Sequence, residues 1–458
     1  MQSPKALAPD TRAAPPVRPS LGRIALFASG DFACNLYWQS LSFFLLFFYT
    51  DALRLSPAVA GLVLLIGSVW DGIADLLVGI HAERSRRDYR WFLSAGAVPL
   101  GLGFVLLYVA PPLQGAALVA AVLAMHLAFR ALYAFVNIPY SAMTARITGD
   151  SGQRALISGL RMLFGTAAAL VVALGTERIA AIRPGGLGGT QGYLAAALLF
   201  GAVGSALLVV VGRGSPAAHG QEQARVSILG AMRVLARNRA FVTLNLAMAG
   251  VGMAATALTR SVLYYFSYVV GDDAGGPAAL AIMGFAGALF VPVWMAVGTR
   301  SGMRGLWFAS AVLGTAAVGV FAGGGRTDAW TAQLFLVVMQ AALVGFNLAF
   351  WAMLPDTVEY GEHRAGVRVE ALGFGVSALV QKFAFGLAAA LMGTIYQLVG
   401  YHPGAVQTAE TVTGIRWVML GMPALCFLVS ALVMWLNPLR RGAHAAIVAD
   451  LATREKQG

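Results

Sequence analysis

Charge is what this sequence has least of: only 11% of its 458 residues are Asp, Glu, Lys or Arg. A water-soluble domain carries about a quarter, so there is too little ionic surface to cover a 47.9 kDa chain. Cysteine is scarcer still, two in all, which excludes a disulfide-stapled secreted scaffold. Cys34 and Cys426 fall in apolar stretches and read as small core residues. Lysine is nearly missing beside arginine, with Lys5, Lys382 and Lys456 its only occurrences. Metal-ligand spacings, nucleotide-binding loops and nucleophilic triads are lacking too, which argues against an enzyme and against a bound cofactor or metal. What abounds is apolar, 59% of the chain with a mean hydropathy of +0.73, and this excludes disorder. The protein must sit in lipid.

Apolar stretches near twenty residues long can span a bilayer, and about twelve are present. They run Ile24–Thr50, Pro57–His81, Trp91–Ala110, Gly115–Met143, Arg154–Leu174 and Gly192–Val211, then Phe241–Val270, Pro277–Val297, Gly305–Phe321, Ala329–Leu354, Ala371–Val399 and Trp417–Trp435. Backbone groups find no water partner in lipid, so these segments are helices; the short alternating segments of a barrel are not seen. The expected fold class is an all-α membrane protein of twelve transmembrane helices in two six-helix bundles. The division predicted is an N-terminal tail 1–23, a first bundle 24–211, a central loop 212–240, a second bundle 241–437 and a C-terminal tail 438–458. Two pseudo-symmetric halves with a site between them at mid-membrane are the layout of a major-facilitator transporter.

Arginine sets the orientation. One set of loops holds Arg84, Arg86, Arg87, Arg90, Arg146, Arg213, Arg225, Arg233, Arg237, Arg239, Arg300, Arg304, Arg364 and Arg368, while the opposite loops show only Arg54, Arg178, Arg183, Arg326 and Arg416. Both termini are therefore expected in the cytoplasm, with the protein integral to a bacterial inner membrane. The net charge of +12 reports this topology and attraction to anionic lipid heads. Nucleic acid is excluded as a partner, because the basic residues are scattered over loops rather than massed on one module.

A charge at mid-bilayer costs roughly 2.5–3.5 kcal/mol on insertion scales, which makes each one a site candidate. The first helix carries Asp31 with Asn35 and Trp38 on the same face, at i+4 and i+7. The second carries Asp71 and Asp75 one turn apart, with Ser68 one turn earlier. The fourth aligns Arg130, Asn137 and Ser141, with Tyr133 beside them; His126, a turn from Arg130, reads as a packed polar residue. Arg161, Arg260 and Lys382 lie in the fifth, seventh and eleventh spans. Two carboxylates at i and i+4 repel when ionised, so a cation or a proton belongs between them. A lone intramembrane lysine suits a compact ammonium. Structural ion pairing, Asp71 with Lys382 or with Arg161, is the plain alternative. The charges Asp356, Glu359, Glu362 and Arg368 read either as a gate of ion pairs or as a solvated loop.

These residues lie within longer motifs: GDFACNLYWQ, FFYTD at Phe47–Asp51, VWDGIADLLVG, ERSRRDYRWF, NIPYSAM at Asn137–Met143, YYFSYVVGD, and LPDTVEYGEHRAGVRVEA followed by QKF. In this order they resemble the glycoside–pentoside–hexuronide:cation symporter family. The resemblance implies a cation site at Asp71 and Asp75, a sugar-binding carboxylate at Asp31, and polar links between the two sites at Arg161 and Lys382. It also places Asn137 where a family member has a second sugar-binding Asp, and Ser141 where that member has a tryptophan. Ala74 and Ala134 replace an asparagine and a threonine that help ligate Na⁺ in that member. A hard cation wants several oxygens, so H⁺ is favoured over Na⁺ as the coupling ion.

The expectation is a monomeric cation-coupled symporter that imports a glycoside, oligosaccharide or hexuronide, with Trp38 and Tyr133 as platforms for a sugar ring. A lysolipid symporter and a proton-driven exporter are the rivals on the same fold; a membrane enzyme and a non-transporting sensor are the rivals off it.

Overall fold

The computed structural model describes residues 20–85, 87–147, 151–216, 228–325, 327–365, 371–440, 442, 447 and 450. Lys5, Arg86, Arg225, Arg326, Arg368, Arg441 and Lys456, together with the N-terminal tail as far as residue 19, lie outside the described residues.

Helices account for the fold. In chain order they are α1 (Leu21–Phe47), α2 (Pro57–Arg84), α3 (Tyr89–Leu107), α4 (Gly115–Arg146), α5 (Ser151–Ala181), α6 (Thr190–Gly214), α7 (Ile228–Arg237), α8 (Arg239–Tyr265), α9 (Gly275–Gly323), α10 (Ala329–Ala365), α11 (Ala371–Leu398) and α12 (Ala409–Trp435). A π turn, Phe48–Ala52, prolongs α1 and another, Phe266–Val270, prolongs α8. Among the described residues, ten stretches meet the length and apolarity of a membrane span. α1 falls short of that apolarity because Asp31, Asn35 and Gln39 dilute it, although it is 27 residues long.

Polar side chains set many of the ends. Ser20 accepts from the Arg23 amide, Asp88 from Arg90, Asn238 from Phe241 and Thr408 from Thr411, each meeting a helix-start N–H that has no intrahelical partner. These caps correct the sequence-derived boundaries. α12 starts at Ala409, eight residues before Trp417, because Thr408 caps it there. α10 runs on past Leu354 to Ala365, so Asp356, Glu359 and Glu362 occupy helical turns rather than a loop. The eighth and ninth expected segments, Pro277–Val297 and Gly305–Phe321, are the two helices of α9, separated by a non-helical kink at Gly302, whose φ of 75° is open to glycine. The central connection also carries the short helix α7, which lays Leu235 into the protein while Arg233 and Arg237 stay exposed.

Proline lies inside α3, α4, α9, α10 and α12. Membrane helices tolerate this because neighbouring groups re-satisfy the freed carbonyls. In the first half α1 packs on α5 and α6, α3 on α4 and α6, and α2 on α4; in the second, α9 packs on α10 and α12, and α8 on α10, α11 and α12. The halves meet where α2 lies along α11, α5 along α9 and α1 along α8. Small residues let α2 and α11 close up. A Cβ on Gly61 would stand 2.6 Å from the Ala389 carbonyl oxygen, and one on Gly393 would stand 2.1 Å from that of Pro57.

Gly393→Leu must therefore push α11 off α2. Its expected effect is a lower melting temperature in detergent, equivalent to about 1–3 kcal/mol of overpacking, with membrane insertion retained; a melt matching the unsubstituted protein would refute this.

Candidate functional site

Asp71 is fully buried on α2. Its Oδ2 accepts from the Arg130 guanidinium at 3.2 Å and from the Lys382 ammonium at 2.8 Å, while its Oδ1 has no partner among the described residues. Lys382 also bonds Asp75 through the same Nζ. The i, i+4 spacing of the two aspartates thus brings their Oδ2 atoms onto one ammonium that arrives from the other half. Lone buried charges are costly, and a matched, hydrogen-bonded set offsets much of the desolvation.

Arg130 is clamped from behind. Its Nε donates to His126 Nε2 at 3.2 Å, and His126 Nδ1 meets the Tyr49 hydroxyl at 3.0 Å. An arginine N–H can only donate, so Nε2 must accept and the imidazole is neutral with its proton on Nδ1. His126 is fully buried and serves as a packed polar residue, as its sequence context suggested.

A second pair lies further along α1. Arg161 on α5 grips Asp31 through Nε to Oδ2 and through Nη2 to Oδ1 at 3.2 Å, a bidentate fork. The guanidinium also donates to Thr144 and covers the Tyr140 ring at 4.9 Å. The pairing of Asp71 with Arg161 does not form; Arg130 takes that place. The sequence placed Arg130 on the polar stripe of α4 without giving it a partner.

Two cavities adjoin these pairs. The larger, about 620 Å³, is bounded by Asp31, Asn35, Gln39, Arg161, Thr259 and Gln340. The smaller, about 220 Å³, is bounded by Trp38, Ser68, Asp71, Arg130, Arg260 and Lys382. Gln39, Phe43 and Thr259 line both, so the two form one path between the halves, within the few-hundred-Å³ range of small-molecule sites. Asn35 reaches the cavity with its amide tied to the Asp31 carbonyl at 2.9 Å and to Gln39 at 3.3 Å. Trp38 faces the smaller cavity. Tyr133 does not: it is buried and stacks behind Trp38, ring centroids 5.8 Å apart. Asn137 has no hydrogen bond among the described residues and lines neither cavity. The stripe on α4 therefore delivers Arg130 to the site but leaves Asn137 aside. Gln39 is a cavity residue that the sequence did not single out, since it carries no charge; Arg260, noted there as an intramembrane charge without a role, lines the smaller cavity.

The end away from the termini is closed by a cluster centred on Asp51. Its carboxylate accepts from Tyr401 at 2.7 Å, from Thr50 at 2.7 Å and from Tyr268, and Thr50 in turn meets the Tyr264 hydroxyl at 2.8 Å. Arg54, held at a φ of 58°, donates to the Pro403 carbonyl nearby. Asp51 was visible only as the last letter of FFYTD. Beyond it lies a vestibule of about 710 Å³ that includes Arg54, Glu177 and Asp273.

A helical bundle with paired charges and a solute-sized path between two halves is the architecture of a major-facilitator transporter. The solved structure of a bacterial homologue of the human lysosomal transporter Spinster has the same fold, with a TM-score of 0.66 at 14% identity, covering 91% of this chain and 96% of that one. Residues 26–441 match the family described as MFS/sugar transport protein, and the chain belongs to the glycoside–pentoside–hexuronide:cation symporters within it. It is an integral membrane transporter and not an enzyme. Its curated relatives include the glucuronide carrier protein homolog of Escherichia coli K12, 26% identical over 94% of this chain and 95% of that one. Another, from Salmonella typhimurium, bears the provisional name of a 2,3-dihydroxypropane-1-sulfonate exporter and is 27% identical over 94% of this chain and 95% of its own length.

If Lys382 binds the two aspartates as one unit, Lys382→Met strands Asp75, whose side chain is 20% exposed, and the melting temperature falls. Adding Asp75→Asn to that variant is expected to recover part of the loss. A double variant that melts at the sum of the two single losses would show no such coupling.

Proposed function

We propose that this protein is a proton-coupled symporter importing a glycoside, oligosaccharide or hexuronide, working by alternating exposure of the path between residues 24–211 and 241–437, with both termini in the cytoplasm. The observation that carries the reading is Lys382 Nζ shared by Asp71 and Asp75. An ammonium from one half that occupies the space between two carboxylates of the other is a tether the coupling ion can release. A proton on Asp75 cancels its charge, weakens its bond to Lys382 and loosens α2 from α11. A proton needs no ligand cage, whereas Na⁺ would need oxygens where Ala74 and Ala134 offer methyl groups.

The sugar's hydroxyls fit the amides and hydroxyls of Asn35, Gln39, Thr259 and Gln340, and Trp38 offers an apolar face to a ring. Asp31, already forked to Arg161, keeps oxygen lone pairs for one hydroxyl more. The glucuronide carrier named among the relatives supports a sugar or sugar-acid substrate, and the polar walls of the larger cavity disfavour a lysolipid. The exporter named among them keeps outward transport as the competing direction. In this arrangement Asp51 and its phenols shut the outer end, so the path faces inward. Asp356, Glu359 and Glu362, near the terminal end of α10, are placed to close the inner end in the opposite state.

Proton coupling predicts uptake that ignores Na⁺ and collapses with a protonophore, and loss of accumulation in both Asp71→Asn and Asp75→Asn with the protein still folded and inserted. Accumulation retained in both variants, or uptake that needs Na⁺ at fixed pH, would sink the assignment. Asp51→Ala unfastens the outer end. A cysteine placed at Thr259 should then be labelled several-fold faster by an impermeant maleimide added outside intact cells; unchanged labelling would deny Asp51 the role of latch.

A further inference from the structure

The cavity holds more cations than carboxylates. Around the path stand Arg130, Arg161, Arg260 and Lys382 against Asp31, Asp71 and Asp75. Arg161 is engaged by Asp31, and Arg130 and Lys382 by Asp71 and Asp75. Arg260 is left over. Its one hydrogen bond among the described residues runs from Nη1 to the Leu41 carbonyl at 3.4 Å. The ionisable groups that act on it are the phenols Tyr49, Tyr108 and Tyr264 and a second guanidinium, Arg130. It lines the smaller cavity together with that guanidinium, so two arginines of like charge face one space with no carboxylate left for the second.

A guanidinium inside a membrane protein without a counter-ion is an expensive group, and such groups persist where a ligand uses them. Its planar fork of donors fits a carboxylate or similar oxyanion with two parallel bonds. The surroundings fit the rest of such a molecule. Thr256 lies one turn before Arg260 on α8 and Thr259 directly before it, Trp38 presents a ring to the same space, and the path widens past Gln39 into the larger polar cavity.

We propose that Arg260 anchors an acidic group of the substrate, and that the solute carried is a polyhydroxylated monoanion rather than a neutral sugar. This rests on the transport reading above and narrows it. The oxyanion binds between Arg260 and Arg130 in the smaller cavity, and the hydroxyl-bearing remainder extends toward Asn35, Gln39 and Thr259. The bound acid supplies the carboxylate the cavity lacks and separates the two guanidinia.

The test is a thermal-shift titration of the purified full-length protein at constant Na⁺. One arm uses matched pairs, methyl glucoside with methyl glucuronide and methyl galactoside with methyl galacturonide; the other uses acetate and sulfate against chloride at equal ionic strength. An acidic member of a pair is expected to stabilise the protein at roughly ten- to hundred-fold lower concentration than its neutral twin, the scale of a charge-assisted hydrogen-bonded pair. Arg260→Gln should erase that preference and Arg260→Lys keep part of it. Neutral sugars that bind as well as their acids overturn the inference and leave sugar transport standing. If no sugar of either kind binds, an acetate or sulfate effect that disappears in Arg260→Gln upholds the anion anchor and removes the sugar reading. An oxyanion effect that survives the substitution, or is absent from the unsubstituted protein, overturns the inference. Should Arg260→Gln fail to fold, the matched-pair comparison on the unsubstituted protein and the loss in Arg260→Lys decide.

Discussion

One ammonium shared by two carboxylates governs the middle of this protein. Lys382 from α11 meets Asp71 and Asp75 from α2, and the other charges fall into place around that contact. Asp71 has room for a second cation and takes Arg130; Arg130 is then fixed from behind by a neutral imidazole, since a charged one would repel it. Asp31, further along α1, is matched by Arg161 on the adjacent helix. Each pairing lowers the cost of the charges it contains. What the set leaves uncompensated is a guanidinium at the wall of the path.

The sequence made some of this legible and hid the rest for definable reasons. Helix period and spacing bring Asp71 and Asp75 to one face of α2, and Asp31, Asn35 and Trp38 to one face of α1, because these are contacts within a helix. The lone intramembrane lysine announced itself by rarity. Which charge meets which is a matter between helices. The sequence offered Arg161 to Asp71 and gave Arg130 no partner; the packing of α4 beside α2, with α5 beside α1, reverses that. The same limit applies to Asn137 and Tyr133. They share the stripe that carries Arg130, yet their side chains stay out of the path, because a cavity narrower than a helix face admits only part of that face. Boundaries were hidden for another reason: hydropathy ends where lipid ends, whereas a helix ends at its cap. Thr408 and Asn238 therefore set starts that an apolar window could not find.

The interface between the halves combines two kinds of contact with different tolerances. Toward the closed end, Gly61 and Gly393 bring α2 and α11 to backbone distance, where nothing can be added. Nearer the middle the same helices are joined by ions, which release when a charge is removed. A pair of helices hinged at its glycines and latched at its lysine can part at one end while staying packed at the other. In the second half, the two helices of α9 are joined only through the non-helical Gly302, so the link between those two passages is a single short kink.

The cluster at the closed end is built from a different chemistry. Asp51 is held by the hydroxyls of Tyr268, Tyr401 and Thr50, and its carboxylate is 2% exposed. An exposed salt bridge weakens as dissolved ions screen it over a Debye length of about 8–10 Å. The hydrogen bonds from neutral phenols that grip this buried carboxylate are not charge pairs for dissolved ions to mask, so they change little between fresh water and brine. In the proposed orientation this end meets a medium that the cell does not control, and a closure made of hydroxyls suits such a surface.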